Sequence, residues 1–352
     1  MPKFVIHAGP PKTGSTYLQM SLRALSPNLR AAGVWYPEVW WTHPGHFNHA
    51  MLLRGIMSSQ DQRFEEGFRQ FQTSDAHTIV LSSEGFGGMR RNELARLRDL
   101  IGDNECEVIY YCRRWSDWVP SQWQESVKAG RIETFPEACV RIYRDPSRPP
   151  INFGIPLEWL SEIFGPKSVR LISFSNLVDD KVDLASHFCD TVLGLADVSL
   201  PRNGDRVNES RDAFMSELGR VLNVLKITRG EEVPTKITPL LARFQSHPEL
   251  RDDIDKVLAS MESSVATITL DDNLPSLRNV YNDVLTKYRG ILENPGTADG
   301  FFAKRVRTVS YVRQHYLLQP DIPDTIVRIG AYLDKKLVEL AKLQNARDRQ
   351  SK

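Results

Sequence analysis

Short, nearly unbroken apolar runs punctuate the first half of this chain: Phe4–Ala8, Thr78–Ser82, Glu107–Cys112 and Val169–Phe174. Each is of strand length, lacks the alternation of a half-solvated strand and stops at a polar turn, which reads as a strand buried on both faces. Helical-period stretches separate them, including Pro156–Phe164 before the fourth run and Asp183–Leu195 after it. That order predicts an α/β fold with a central parallel sheet flanked by helices. Beyond about residue 210 the pattern turns mainly helical. Its last segment carries Ile326, Ile329, Leu333, Leu337 and Leu340 on one stripe behind a candidate Asp324 cap. The stripe suits packing on the body of the protein, with a homodimer seam as the alternative. Asn294-Pro295-Gly296 marks a break between helices. No linker separates the two expected parts, a core over residues 1–210 and a helical region over 211–352.

In open parallel sheets ligands bind beyond the carboxyl ends of the strands, so the turns there are where chemistry is expected. After the first run comes Gly9-Pro10-Pro11-Lys12-Thr13-Gly14-Ser15-Thr16-Tyr17-Leu18. The two glycines let backbone approach a ligand closely, and a helix opening there presents unpaired amides and a positive dipole end. Lys12 adds a cation, Ser15 and Thr16 two hydroxyls. These are the parts of a phosphate cradle.

A nucleotide-triphosphatase loop reads G-x-x-x-x-G-K-[ST]. Gly9, Gly14 and Thr16 keep that spacing, but Ser15 stands where the lysine belongs, and the lysine lies inside the turn at Lys12. Pro11 through Leu18 resembles the 5′-phosphosulfate loop of sulfotransferases that use 3′-phosphoadenosine-5′-phosphosulfate (PAPS). The turn after the third run, Arg113-Arg114-Trp115-Ser116 onward, resembles that family's second signature, an arginine at a strand end followed eight residues later by a serine. Arg113 and Ser121 have that separation, 121 − 113 = 8. A guanidinium fork and a hydroxyl suit a phosphate, and the resemblance assigns them the donor's 3′-phosphate. Arg114 either assists or faces solvent.

The second run ends in Ser82-Ser83-Glu84. Family members that act in the cytosol place a histidine base at the equivalent strand end, whereas glycan-modifying members often use a glutamate. Glu84 is therefore the expected base, with helix capping as its plain alternative. The rivals lie in a segment rich in aromatic residues, Val34 to His49, where His49 or His46 is the second choice of base. The same segment suits an acceptor-binding wall or simple core packing. Its His-x-x-His spacing finds no Cys or Glu partner in register, so no metal is expected. The resemblance extends over residues 4–210. It departs at Phe174-Ser175-Asn176-Leu177, where an acidic residue is common, and lacks a recognisable C-terminal Arg-Lys-Gly loop. Arg206, Asn208 and Ser210 are the candidate replacement, and Lys304-Arg305-Val306-Arg307 is the other basic stretch.

Bulk properties narrow the partners. The 352 residues carry 45 Lys+Arg against 44 Asp+Glu, a net charge of +1, which offers no global field for nucleic acid or an anionic membrane. Four cysteines, Cys106, Cys112, Cys139 and Cys189, show neither metal spacing nor a disulfide framework and suit a reducing compartment. No signal-peptide pattern or membrane-length apolar run occurs, so a cytoplasmic location is expected. What the resemblance implies is a P-loop-like sulfotransferase fold and sulfuryl transfer from PAPS, without a metal, to an acceptor hydroxyl on a small molecule, saccharide or glycolipid. In that scheme Lys12 and Glu84 act in catalysis, while Pro11, Lys12, Thr13, Gly14, Ser15, Thr16, Tyr17, Arg113 and Ser121 hold the donor. An atypical P-loop kinase and a non-catalytic nucleotide-binding protein are the alternatives.

Overall fold

The computed structural model describes residues 1–38, 49, 52, 55–56, 67–71, 74–147, 151–195, 213–231, 237–292 and 306–350. Its contacts divide the chain into two compact units with interleaved segments: Met1–Trp118, Asp145–Asn208 and Asp271–Arg305 form the first, and Val119–Arg144, Glu209–Leu270 and Val306–Lys352 the second. The boundary expected near residue 210 and the Asn294-Pro295-Gly296 turn both fall outside the described residues.

The first unit is built on five parallel strands, β1 (Lys3–Ala8), β2 (Val34–Trp35), β3 (Thr78–Ser82), β4 (Cys106–Cys112) and β5 (Val169–Ser173), in the spatial order β2-β3-β1-β4-β5. The α/β expectation is met, and the four apolar runs are four of its strands. β2 was hidden because two residues are too few to make a pattern. β5 stops at Ser173, where the expected run included Phe174: the Ser173 hydroxyl accepts from the Asn176 amide and starts the helix Phe174–Asp179. Asp183 is likewise a cap, its carboxylate accepting from the Ser186 amide, and the expected helix is a turn of α-helix, Leu184–His187, followed by a π-helical stretch, Phe188–Val192.

The sheet order positions the chemistry. The chain moves to one side of β1 to make β2 and β3, then crosses to the other side for β4. The crevice between the ends of β1 and β4 is therefore the switch point where such sheets bind ligands. Registers are level there, with His7 opposite Ser82 and Ala8 opposite Tyr110. Leu18 and Leu22 on the helix Ser15–Ala24, with Leu25 after it and Leu29 on the helix Ser26–Ala31, follow a 4-3-4 spacing. All four are almost fully buried with Val5, Val80, Ile109 and Ile172 of the sheet. Each such leucine contributes about 2 kcal/mol, so the helix that opens at the glycine-rich turn is fixed to the sheet beneath it.

In the second unit, the helices Ala213–Thr228, Ile237–Phe244, Pro248–Glu262 and Ile322–Gln350 surround one apolar cluster. The stripe noted in the sequence belongs to this core. Ile326, Ile329 and Leu333 are buried, and Leu337 and Leu340 pack against the same cluster. Asp324 lies in the first turn of its helix. A two-stranded sheet, β6 (Val265–Asp271) with β7 (Val306–Val312), was not anticipated. Among the described residues no helix is long and apolar enough to cross a membrane. The four cysteines are buried and unpaired with one another.

Arg114 is the conspicuous buried charge of the first unit. It is 1% exposed; its Nε donates to Asp117 at 3.0 Å and its Nη2 to Asp179 at 2.6 Å, while its amide donates to Ser175 Oγ at 3.1 Å. It does not face solvent. Burial pushes the Asp117 carboxyl up, but Arg114 and Ser175 outweigh that and hold it below the usual carboxylate range. Ser175 donates to Asp117 at 2.9 Å, so its segment is tied in through a hydroxyl. Arg114→Leu is expected to cost about 3 kcal/mol in urea unfolding, since two carboxylates lose their counter-charge while Asp179 keeps some contact with water. An unchanged midpoint would show the cluster to be dispensable.

Candidate functional site

The turn after β1 is shaped by three side-chain donors, each taking one carbonyl. Thr13 Oγ1 donates to the Pro10 oxygen at 3.0 Å, Trp118 Nε1 to the Pro11 oxygen at 3.0 Å, and Arg113 Nη1 to the Lys12 oxygen at 2.5 Å. In a planar trans peptide the N–H points away from the C=O. Tying down the Pro11 and Lys12 carbonyls therefore turns the amides of Lys12 and Thr13 to the other side. Lys12 (φ 71°) and Gly14 (φ 78°) are left-handed on either side of Thr13, the kind of turn in which successive N–H groups make an anion-binding concavity. No side chain caps the helix Ser15–Ala24, and its first helical bond from this end runs from the Leu18 amide to the Gly14 oxygen at 3.0 Å. The amides of Ser15, Thr16 and Tyr17 thus have no partner within the helix. The donors, the dipole end and Lys12 fit a phosphate-like group.

Space also demands glycine here. A Cβ on Gly9 would lie 2.5 Å from the Tyr111 carbonyl oxygen, and one on Gly87 would lie 2.5 Å from the Gly9 oxygen. The loop therefore leaves β1 squeezed between β4 and the turn that follows β3.

That second turn is the 3₁₀ segment Glu84–Gly88, capped by Ser83, whose hydroxyl accepts from the Gly85 amide at 3.2 Å. Capping is thus done by Ser83, and Glu84 is turned elsewhere. Half-buried, it accepts a hydrogen bond from the Ser15 hydroxyl at the mouth of the anion loop. Two residues 69 apart in sequence meet because β1 and β3 are neighbours.

Ser82, just before this turn, is held on every polar atom. Its amide donates to His49 Nδ1 at 2.9 Å, its carbonyl accepts from Gln19 Nε2 at 3.4 Å and from the His49 amide at 3.4 Å, and its hydroxyl pairs with His7 Nδ1 at 2.8 Å. Because His49 Nδ1 accepts, its proton is on Nε2, which donates to the Pro37 oxygen at 2.9 Å. Both ring nitrogens are engaged, which binds His49 to the strand end. His7 and His49 are 0% exposed, and burial drives their pKa values down to about 3 and about 4.

Of the other expected residues, Pro11 is half-buried beside Lys12, and Thr16 is exposed on the first helical turn. Tyr17 donates to Asp183, and burial followed by that carboxylate raises its pKa to about 12. The Arg113 guanidinium also lies 5.6 Å over the Phe174 ring. Ser121 is half-buried in the helix Trp115–Lys128, on the stretch that belongs to the second unit. Arg206, Asn208, Ser210 and His46 lie outside the described residues, as do residues 39–48 of the aromatic segment and Lys304-Arg305. Sequence reasoning missed Trp118, whose ring N–H holds the loop. The available signal was a tryptophan one turn past Arg113, since a buried indole N–H needs an acceptor. Among the described residues no group of three or more His, Cys, Asp or Glu gathers in metal-ligating fashion.

No family model matches the chain. A nonribosomal peptide synthetase, number 32, of Fusarium pseudograminearum (strain CS3096) is 30% identical over 193 residues; the match takes in 53% of this chain but only 2% of that protein's length. A sulfotransferase crystal structure from Alicyclobacillus acidocaldarius aligns over 66% of this chain and 97% of its own, at 17% identity and a TM-score of 0.38.

The two buried histidines make stability depend on pH. They stay neutral when folded, whereas the unfolded chain takes up protons below about pH 6.5, so stability falls as pH drops from there towards 4. Each contributes about 2 kcal/mol of loss between pH 7 and pH 5. A His49→Gln protein, weaker at pH 7, is expected to lose about 2 kcal/mol less than the wild type over that interval in urea titrations. An identical slope in both would mean that His49 titrates alike in the two states.

Proposed function

We propose that this chain is a PAPS-dependent sulfotransferase acting on an acceptor hydroxyl. The observation that carries the reading is the convergence at the switch point: Arg113 from the end of β4 holds the Lys12 carbonyl of the anion loop, while Glu84 from the end of β3 meets Ser15. The donor supplies an activated sulfuryl group on a phosphate leaving group.

The amides of Lys12 to Tyr17 and the hydroxyls of Ser15 and Thr16 hold the 5′-phosphate. The Lys12 ammonium neutralises charge growing on the oxygen between phosphorus and sulfur, where positioning and charge stabilisation carry catalysis, as in phosphoryl transfer. Arg113, at the end of β4, is the proposed ligand of the 3′-phosphate, its guanidinium being suited to phosphate oxygens, and Ser121 is the hydroxyl assigned to the same group by the family resemblance. Glu84 takes the proton of the acceptor hydroxyl as that oxygen bonds to sulfur and the S–O bond to phosphate breaks. The assignment goes to Glu84 over His49 because both imidazole nitrogens of His49 are already bonded. A saccharide or glycolipid hydroxyl is the proposed acceptor class, and the setting is cytoplasmic.

Isothermal titration with 3′-phosphoadenosine-5′-phosphate beside ADP, without magnesium, tests the donor site. Micromolar binding of the former and at least tenfold weaker binding of the latter are expected, with the preference lost in Arg113→Ala. Equal affinities, or magnesium-dependent consumption of ATP, would replace the reading with that of a kinase. In turnover assays over a panel of acceptors, Lys12→Ala should lower kcat by 10²-fold or more while changing product affinity only a few-fold. Normal turnover in that variant would remove Lys12 from the mechanism.

A further inference from the structure

The contact between Ser15 and Glu84 joins two groups to which the proposed reaction gives separate tasks, and the single Ser15 proton cannot serve both Glu84 and a bound anion at once. A serine hydroxyl has one proton to donate. Here it goes to the Glu84 carboxylate. Ser15 is only 4% exposed, so its hydroxyl has little access to water as an alternative partner. It sits at the first position of an uncapped helix, behind a turn whose carbonyls are tied away by Thr13, Trp118 and Arg113. An anion entering that turn brings only acceptor oxygens, and it meets a hydroxyl already committed to another acceptor.

We infer that Ser15 is an exchange point: an anion seated in the Gly9–Gly14 turn takes over the hydrogen bond that the Ser15 hydroxyl donates to Glu84, and thereby uncaps that carboxylate oxygen. Ser15 is a positioning residue in this scheme, acting through Glu84. The inference rests on the sulfuryl-transfer reading in giving the freed carboxylate a use, namely to accept a proton from the acceptor hydroxyl. Before the donor is in place, the carboxylate is capped and drawn towards the loop. Once the donor is bound, the carboxylate lone pair that Ser15 had engaged is open to the acceptor. The carboxylate is also a competitor, since its hydrogen bond must break for the anion to use Ser15. Donor binding and release of this carboxylate oxygen become one event, which favours an order in which the donor precedes activation of the acceptor.

A double-mutant cycle on the full chain tests the exchange, with 3′-phosphoadenosine-5′-phosphate and inorganic pyrophosphate as calorimetric probes. Glu84→Ala is expected to tighten both probes five- to tenfold. In a Ser15→Ala background the same change should gain at least threefold less, because no hydroxyl remains to be released. Glu84→Gln, which keeps an acceptor but not the charge, should fall between. Equal gains in the two backgrounds would reduce Glu84 to a simple repulsive charge and overturn the exchange. So would a Glu84→Ala variant, folded by its thermal melt, that binds no tighter than the wild type. Should pyrophosphate show the coupling while 3′-phosphoadenosine-5′-phosphate binds no better than ADP, the exchange stands and the sulfotransferase reading falls. Binding of neither probe by any variant overturns both.

Discussion

Everything at the candidate site depends on how little room Gly9 has. The chain leaving β1 passes so close to the Tyr111 carbonyl that a methyl group could not be accommodated, and Gly87 crowds it equally from the other side. A larger residue at either position would force the loop away from one neighbouring strand end. Such a displacement would break contacts on both flanks, because Arg113 reaches Lys12 from β4 and Glu84 reaches Ser15 from β3. Close backbone approach is thus what lets three strand ends, far apart in sequence, act on one small volume.

The adjacent arginines after β4 divide two jobs between them. Arg114 turns inward, where two carboxylates and the Ser175 carbonyl accept from its guanidinium. Arg113 turns outward, towards the loop carbonyl and the Phe174 ring. A buried ion cluster adds little stability against an apolar replacement of equal fit, but it is strongly directional. By fixing the start of the helix Trp115–Lys128, Arg114 sets where Arg113 and Trp118 must stand. Both of those residues then hold the loop.

Much of this was legible from sequence, for definite reasons. The strands announced themselves because residues such as Val5, Ile6, Val108 and Ile109 are apolar on both faces, as only a covered parallel sheet requires. The anion loop announced itself through glycines and a lysine at fixed spacing. Glu84 stood out only through its place after a strand; its meeting with Ser15 is a consequence of strand order, which no local pattern encodes. The fates of Arg113 and Arg114 were equally hidden, since identical neighbours differ only in which way a strand end turns. His49 was read as chemistry because histidine is versatile. In the fold, its surroundings make it a neutral hydrogen-bonding strut, donating at one nitrogen and accepting at the other. The small sheet of β6 and β7 escaped because its members lie in a stretch dominated by helical periodicity, and most of their residues are exposed or half-buried, without a strong apolar stripe.

Why two uncharged histidines should grip Ser82 follows from what comes next in the chain. Glu84 meets Ser15 from the turn that follows Ser82, the last residue of β3. A residue two positions upstream with its amide, carbonyl and hydroxyl all engaged gives it a rigid root. Neutral imidazoles serve better than charged groups for this purpose. They fill the space with aromatic surface, as His7 does against Tyr111 and Phe188, and His49 against Tyr36. They also direct hydrogen bonds without adding a field of their own. Burial keeps them neutral. Uncharged support thus lies beneath the strand ends, while Glu84 and Arg113 reach the glycine-rich turn from its two flanks.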